Sequence, residues 1–176
     1  GALDLFNLTA NTPGDVLTDA TLNIRGTLLL QDGEFDASTG SITLVSNNTG
    51  SGRLGPVGTG ASYTGNITVQ RYIPAGKTNW RFLGSPVAGR TVNDWKDDFY
   101  TAGFPGSHSP TFSNPVGSGI LWPSIRWYDE TRTFNHIDTG WVGVSSTAQA
   151  LTAGQGFAAW CGTGLVNTTA FTVDVN

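Results

Sequence analysis

From Thr21 to Ser46 apolar residues recur at every second position: Leu22 and Ile24, Leu28 and Leu30, Phe35 and Ala37, Ile42 and Leu44. A period of two marks half-buried β-strands. Glycines at 26, 33 and 40 punctuate the pattern, and Asp32-Gly33 and Ser38-Thr39-Gly40 read as turns. The segment 13–46 is therefore expected to be a three-stranded β-meander. One coil of a β-solenoid is the alternative, but the spacing is short for it. Ahead of this segment, Leu3 and Leu5 flank Asp4 in a strand-like run, and Asn11-Thr12-Pro13-Gly14-Asp15 is a strong turn signal. Residues 1–12 read as a separable apolar arm on a polar tether.

Residues 47–65 are glycine-rich, but Leu54, Val57 and Tyr63 give them something to bury, so they read as a surface loop between two sheets. The stretch Ile67 to Trp95 holds two core strands around Pro74-Ala75-Gly76-Lys77. Thr91 to Tyr100 is the one helical candidate, of about two turns, with Thr91 as cap, Asp94 three residues on, and Trp95 and Phe99 sharing a face. Residues 104–123 read as loop. Strands are expected at 125–128, 141–144, 156–160 and 170–175, the last with Phe171, Val173 and Val175 alternating. The pattern predicts an all-β chain. Its architecture is a β-sandwich or jelly-roll-like domain over 13–176, with 66–176 as the main sandwich, one short helix and long glycine-rich loops.

Composition sharpens the setting. Only 12% of the 176 residues are charged, against a usual ~25%, and 24 are glycine. Such a surface is built from hydroxyls and amides, the profile of an extracellular all-β domain. The net charge of -4 and the absence of a basic stripe argue against nucleic acid. No run of 18 apolar residues is present, so no helical membrane span is expected. The chain begins at Gly1 and contains no Met. A mature chain cut from a secreted precursor is the simplest expectation. Cys161 is the single cysteine, so no internal disulfide forms, and it reads as a buried small apolar residue.

Four blocks stand in fixed order: Gly65-Asn66-Ile67-Thr68-Val69-Gln70-Arg71-Tyr72-Ile73-Pro74, Trp80-Arg81-Phe82-Leu83-Gly84-Ser85-Pro86-Val87, Trp127-Tyr128-Asp129-Glu130 and Gly154-Gln155-Gly156-Phe157. This order resembles a β-rich domain of large secreted and cell-surface proteins of Bacteroidota, many exported by the type IX secretion system. The resemblance covers roughly residues 20–175. It implies an adhesin, matrix component or appendage, and it carries no catalytic residue. In that family the chain usually continues past the strand matching Ala170–Val175; here it stops, so either the chain is a cut piece or a neighbouring chain completes the sheet.

Candidate chemistry is sparse. His108 and His136 are the only histidines, no G-x-S-x-G elbow is present, and both histidines read as solvated loop residues. Asp94, Asp97, Asp98, Asp129, Glu130 and Asp138 could supply a glycosidase pair, but nothing selects one. No cofactor is expected. Calcium is the ion best suited to the oxygen ligands on offer, with Asp32, Glu34 and Asp36 as weak candidates; ordinary surface carboxylates are the leading reading. Of six tryptophans, Trp80, Trp127 and Trp160 sit in apolar runs and read as core. Trp95 and Trp122 are the ones allowed to be exposed and to stack on sugar rings. Arg71, Arg81 and Arg126 lie beside aromatics and are expected to stack on a ring or pair with a carboxylate such as Asp129.

The leading expectation is a non-catalytic, extracellular or cell-surface structural protein, an appendage or filament subunit with an adhesive role. In this reading the arm residues Leu3, Leu5, Phe6 and Leu8 add a strand to the open sheet edge of another copy, near Phe171, Val173 and Val175, in a head-to-tail polymer. The alternative is a carbohydrate-binding module of a larger secreted protein, with surface glycans as partners.

Overall fold

The structure is a computed structural model that describes residues 1–133 and 136–175. The side chains of residues 137 and 138 lie outside the described set, and with them the Asp138 candidate. The chain is all-β, with one short α-helix, and divides into two compact units.

Unit 1 comprises residues 1–72 and 172–176. Its strands are β1 (Ala2–Leu5), β2 (Leu8–Asn11), β3 (Val16–Leu17), β4 (Thr21–Ile24), β5 (Thr27–Asp36), β6 (Ser41–Leu44), β7 (Ser46–Asn47), β8 (Gly50–Ser51), β9 (Arg53–Leu54), β10 (Gly60–Thr64) and β11 (Ile67–Ile73). The expected meander is corrected here. β4 does not fold back on β5; it pairs in parallel with β1 on one side and β6 on the other, and β6 pairs in parallel with β11. Register is strict: Leu3 lies beside Leu22, Leu22 beside Ile42, and Ile42 beside Ile67. β5 pairs in parallel with β2 and β9 through its first half and with β3 and β10 through its second.

Unit 1 is thus a stack of successive coils, a small β-solenoid, and each coil places its apolar residues under those of the next. Ile24, Leu28, Leu30 and Ile42 are completely buried in the cluster this creates. Each such side chain contributes about 1.5–3 kcal/mol relative to an exposed one. The physical reason for the correction lies at Asp32-Gly33. Gly33 has φ +75 but sits inside β5, where its α-carbon faces the carbonyl oxygens of Thr12 and Gly14. A side chain there would meet backbone on the preceding coil, so this glycine makes a corner within a strand, not a hairpin turn.

Unit 2 comprises residues 73–171. It contains β12 (Gly76–Lys77), β13 (Asn79–Gly84), β14 (Arg90–Thr91), α1 (Asn93–Lys96), β15 (Ile125–Tyr128), β16 (Trp141–Gly143), β17 (Ala150–Leu151), β18 (Gly156–Cys161) and β19 (Asn167–Thr168). β20 (Phe171–Val175) then returns the chain to unit 1, beside β11. The principal sheet of unit 2 is antiparallel, in the order β13-β18-β15-β16. Alternation along β18 sends Phe157, Ala159 and Cys161 to one face and Ala158 and Trp160 to the other. The first face is the core side, where Phe157 meets Trp95 edge-on with centroids 5.2 Å apart.

The helix is shorter than expected, a single turn over Asn93–Lys96 in place of two over 91–100. Thr91 does not cap it. Instead the Thr91 N–H and hydroxyl both donate to Asp94 Oδ2, at 2.7 and 2.8 Å. Beyond Lys96 the backbone is drawn off the helical path, because the Tyr100 N–H donates to the Gly162 carbonyl at 2.9 Å.

Candidate functional site

The solvent-facing side of the unit 2 sheet carries a concentration of aromatic rings. Register makes Trp80 and Trp160 direct cross-strand partners, and likewise Tyr128 and Trp141. Phe82 lies opposite Ala158, which in turn lies opposite Arg126. These seven strand positions share one face because side chains alternate. The small Ala158 leaves a hollow between taller neighbours. The result is a groove of about 300 Å³ lined by Trp80, Phe82, Arg126, Trp141 and Ala158.

Its walls are packed from the side. Trp122, delivered by the long 97–124 segment, packs against Trp80 at 5.2 Å and Trp160 at 5.7 Å, and Phe112 packs on Trp122. Trp160 donates its indole N–H to the Leu165 carbonyl at 2.9 Å, which fixes its ring. Phe82 leans toward Trp141 with centroids 6.4 Å apart, and it is 79% exposed. Phe82 and its tryptophan neighbours thus form an exposed apolar patch on this face.

Among the described lining residues, Arg126 is the charged one. Its guanidinium carbon lies 5.5 Å from the Trp80 centroid and 5.3 Å from that of Trp122. Its Nε donates to the Pro123 carbonyl at 2.9 Å. Burial pulls its pKa below the ordinary arginine value. The expectation that Arg126 stacks on a ring is met in this geometry. The carboxylate named for it, Asp129, instead pairs with Arg132 at 3.4 Å.

The sequence-predicted site residues are placed as follows. Trp95 is corrected: it is 4% exposed and packs on Phe157, so it cannot stack on a ligand. Trp122 packs against Trp80, Trp160 and Arg126 beside the groove and is not among its lining residues. Trp80, read as core, lines the groove, and Trp160 shares its face; sequence reasoning missed both roles, along with those of Phe82 and Trp141. The arm is also corrected. Leu5 and Leu8 pack on the unit 1 core and β1 and β2 pair within their own chain, so residues 1–12 are the first coil and not a free strand. Leu3 and Phe6 do face solvent, at 53% and 74% exposure. Val173 and Val175 are already buried, which removes them as side-chain contacts for another copy, while Phe171 is half-buried.

The calcium candidates do not converge. Asp32 Oδ1 accepts from the Gly33 N–H, Glu34 accepts from the Thr64 hydroxyl, and Asp36 accepts from the Ser38 N–H. Among the described residues no three His, Cys, Asp or Glu side chains gather into a metal-holding group. His108 stacks on Tyr100 and its Nδ1 engages Thr101, while the neighbouring Ser109 hydroxyl is bonded to Tyr100. No helix among the described residues is long and apolar enough to cross a membrane. Comparison with protein-family models, curated proteins and solved structures finds no match.

Proposed function

We propose that the protein is a non-catalytic extracellular surface module in which the coils of unit 1 are structural and the aromatic groove of unit 2 binds carbohydrate. The observation that carries this reading is the exposed Phe82 facing Trp141 across a hollow floored by Ala158. Ring faces at that spacing offer the C–H-rich faces of sugar rings a desolvated stacking surface. The low-charge composition and the resemblance to secreted proteins of Bacteroidota support the setting. The test is a glycan array followed by calorimetry on Phe82→Ala and Trp141→Ala. Phe82 is exposed enough for its replacement to leave the fold intact. Absence of binding to every glycan class sinks this reading.

A second reading, assembly between copies, rests on a separate observation. β1 and β20 are the two edge strands of one sheet, and the β1 end displays Leu3 and Phe6 to solvent. An unpaired edge with exposed apolar side chains is a template for strand addition. Electron microscopy and sedimentation of the purified chain test it; a monomer at high concentration with no filaments rules it out.

A further inference from the structure

We infer that the groove selects acidic sugars, a uronic-acid polysaccharide in particular, with Arg126 receiving the carboxylate while Phe82, Trp80 and Trp141 take the ring faces. This rests on the carbohydrate reading above and narrows it to one ligand class.

The argument begins from an imbalance. Arg126 sits in an apolar groove, and among the described residues its cost of desolvation is met by ring faces and by one carbonyl acceptor at Nε. Among the described residues no carboxylate lies in ion-pair range of it, although Asp129 is only three positions away and turns to Arg132 instead. A guanidinium has five N–H donors in a planar fork that matches a carboxylate. Among the described residues, one of those donors is used, Nε to the Pro123 carbonyl. The fork is held in place by Pro123 and by the two indole rings, so binding an anion costs little further ordering. The ligand this geometry completes has a negative carboxylate next to an apolar, stackable face. A uronic acid has both on one ring.

A peptide fits less well. The groove floor is formed by β18 and β15, whose backbones are paired on both sides within the sheet. The floor therefore offers no free row of N–H and C=O groups to an extended chain, which is the usual source of affinity in strand-type peptide recognition.

The experiment uses the full chain and two oligosaccharides of the same length and linkage, one of uronic acid and one with each carboxylate replaced by hydroxymethyl. Calorimetry is expected to give at least about tenfold tighter binding of the acidic oligomer, the scale of a charge-assisted hydrogen bond. That preference is expected to shrink with added salt. Arg126→Gln is expected to abolish the preference for the acidic oligomer. Arg126→Lys, which keeps the charge without the fork, is expected to retain part of it, and circular dichroism in the aromatic region confirms that the ring cluster is intact in both. Equal binding of the two oligomers by the unaltered chain overturns the acidic inference and leaves the carbohydrate reading standing. Binding of neither overturns the acidic inference, and the glycan array decides the carbohydrate reading separately. Tighter binding of a peptide carrying a free C-terminal carboxylate than of the uronate overturns the sugar assignment in favour of a peptide.

Discussion

Asn7 Oδ1 accepts a hydrogen bond from the backbone N–H of Thr27 at 2.7 Å, joining two residues one coil apart. Gly26 lies against this link: a β-carbon built on it would meet Asn7 Oδ1 and the Phe6 carbonyl oxygen. The first coil turns onto the second here, and only a residue without a side chain fits.

Gly26→Ala is therefore expected to destabilise unit 1 by about 1–3 kcal/mol, through steric displacement and loss of the Asn7 bond. Gly50 is the control, since nothing lies within 4 Å of its added β-carbon. Gly50→Ala should change stability by no more than about 0.5 kcal/mol. Urea titration of the two variants checks the contrast.

Leu3 tests the open edge. It lies beside Leu22 on the inner side of the stack and has no coil on the other. Leu3→Lys should leave the unfolding midpoint nearly unchanged, because the residue is already more than half exposed. If copies add edge to edge, the charge should reduce their association, since lysine on an edge strand opposes strand addition. Sedimentation velocity across a concentration series reads this directly.

His108 gives an acid-side prediction. Burial, and secondarily the positive charge of Lys96, hold its pKa below the ordinary 6.5. The neutral ring is favoured in the folded state, so the unfolded chain takes up the proton first as pH falls. The stabilisation is present above about pH 6.5 and is lost as pH drops below it. The His108 ring resonances should titrate below that value, and His108→Gln should flatten stability between about pH 6.5 and 5.

Cys161 gives the alkaline counterpart. It is fully buried, and desolvation pushes its thiol up to about 11 from an ordinary 9.0. The folded chain keeps the proton after the unfolded chain has released it, so stability falls as pH rises from about 9 through 11. At pH 8 the thiol should resist a disulfide reagent until the protein is unfolded, and Cys161→Ala should remove the alkaline slope.

The period-two positions were legible from sequence: Leu22, Ile24, Leu28, Leu30, Ile42 and Leu44 are all buried. What period two does not report is the direction of the partner strand, and a meander and a coil bury the same side chains. The coil repeat was nonetheless present in the chain. Leu3-x-Leu5, Leu22-x-Ile24, Ile42-x-Leu44 and Ile67-x-Val69 stack in register. The seven-residue glycine spacing masked it, because Gly33 marks a corner inside a strand. The groove was less accessible. Arginines beside aromatics signalled a cation near rings, but which face of β13 looks outward depends on its pairing with β18, eighty residues away at Trp80 and Trp160. Trp95 and Phe99 were expected on one helix face, but the helix ends at Lys96, before Phe99, and both residues are buried.

The in-register seating of β4 on β6 bears on how such a chain changes over generations. Each rung is specified by the rung on either side and by little else, so stability accumulates by nearest neighbours. A duplication of one rung inserted between Ala37 and Ser41 would repeat contacts that already exist and require none to be redesigned. Unit 1 could thus lengthen or shorten in whole rungs without altering the contacts within any one rung.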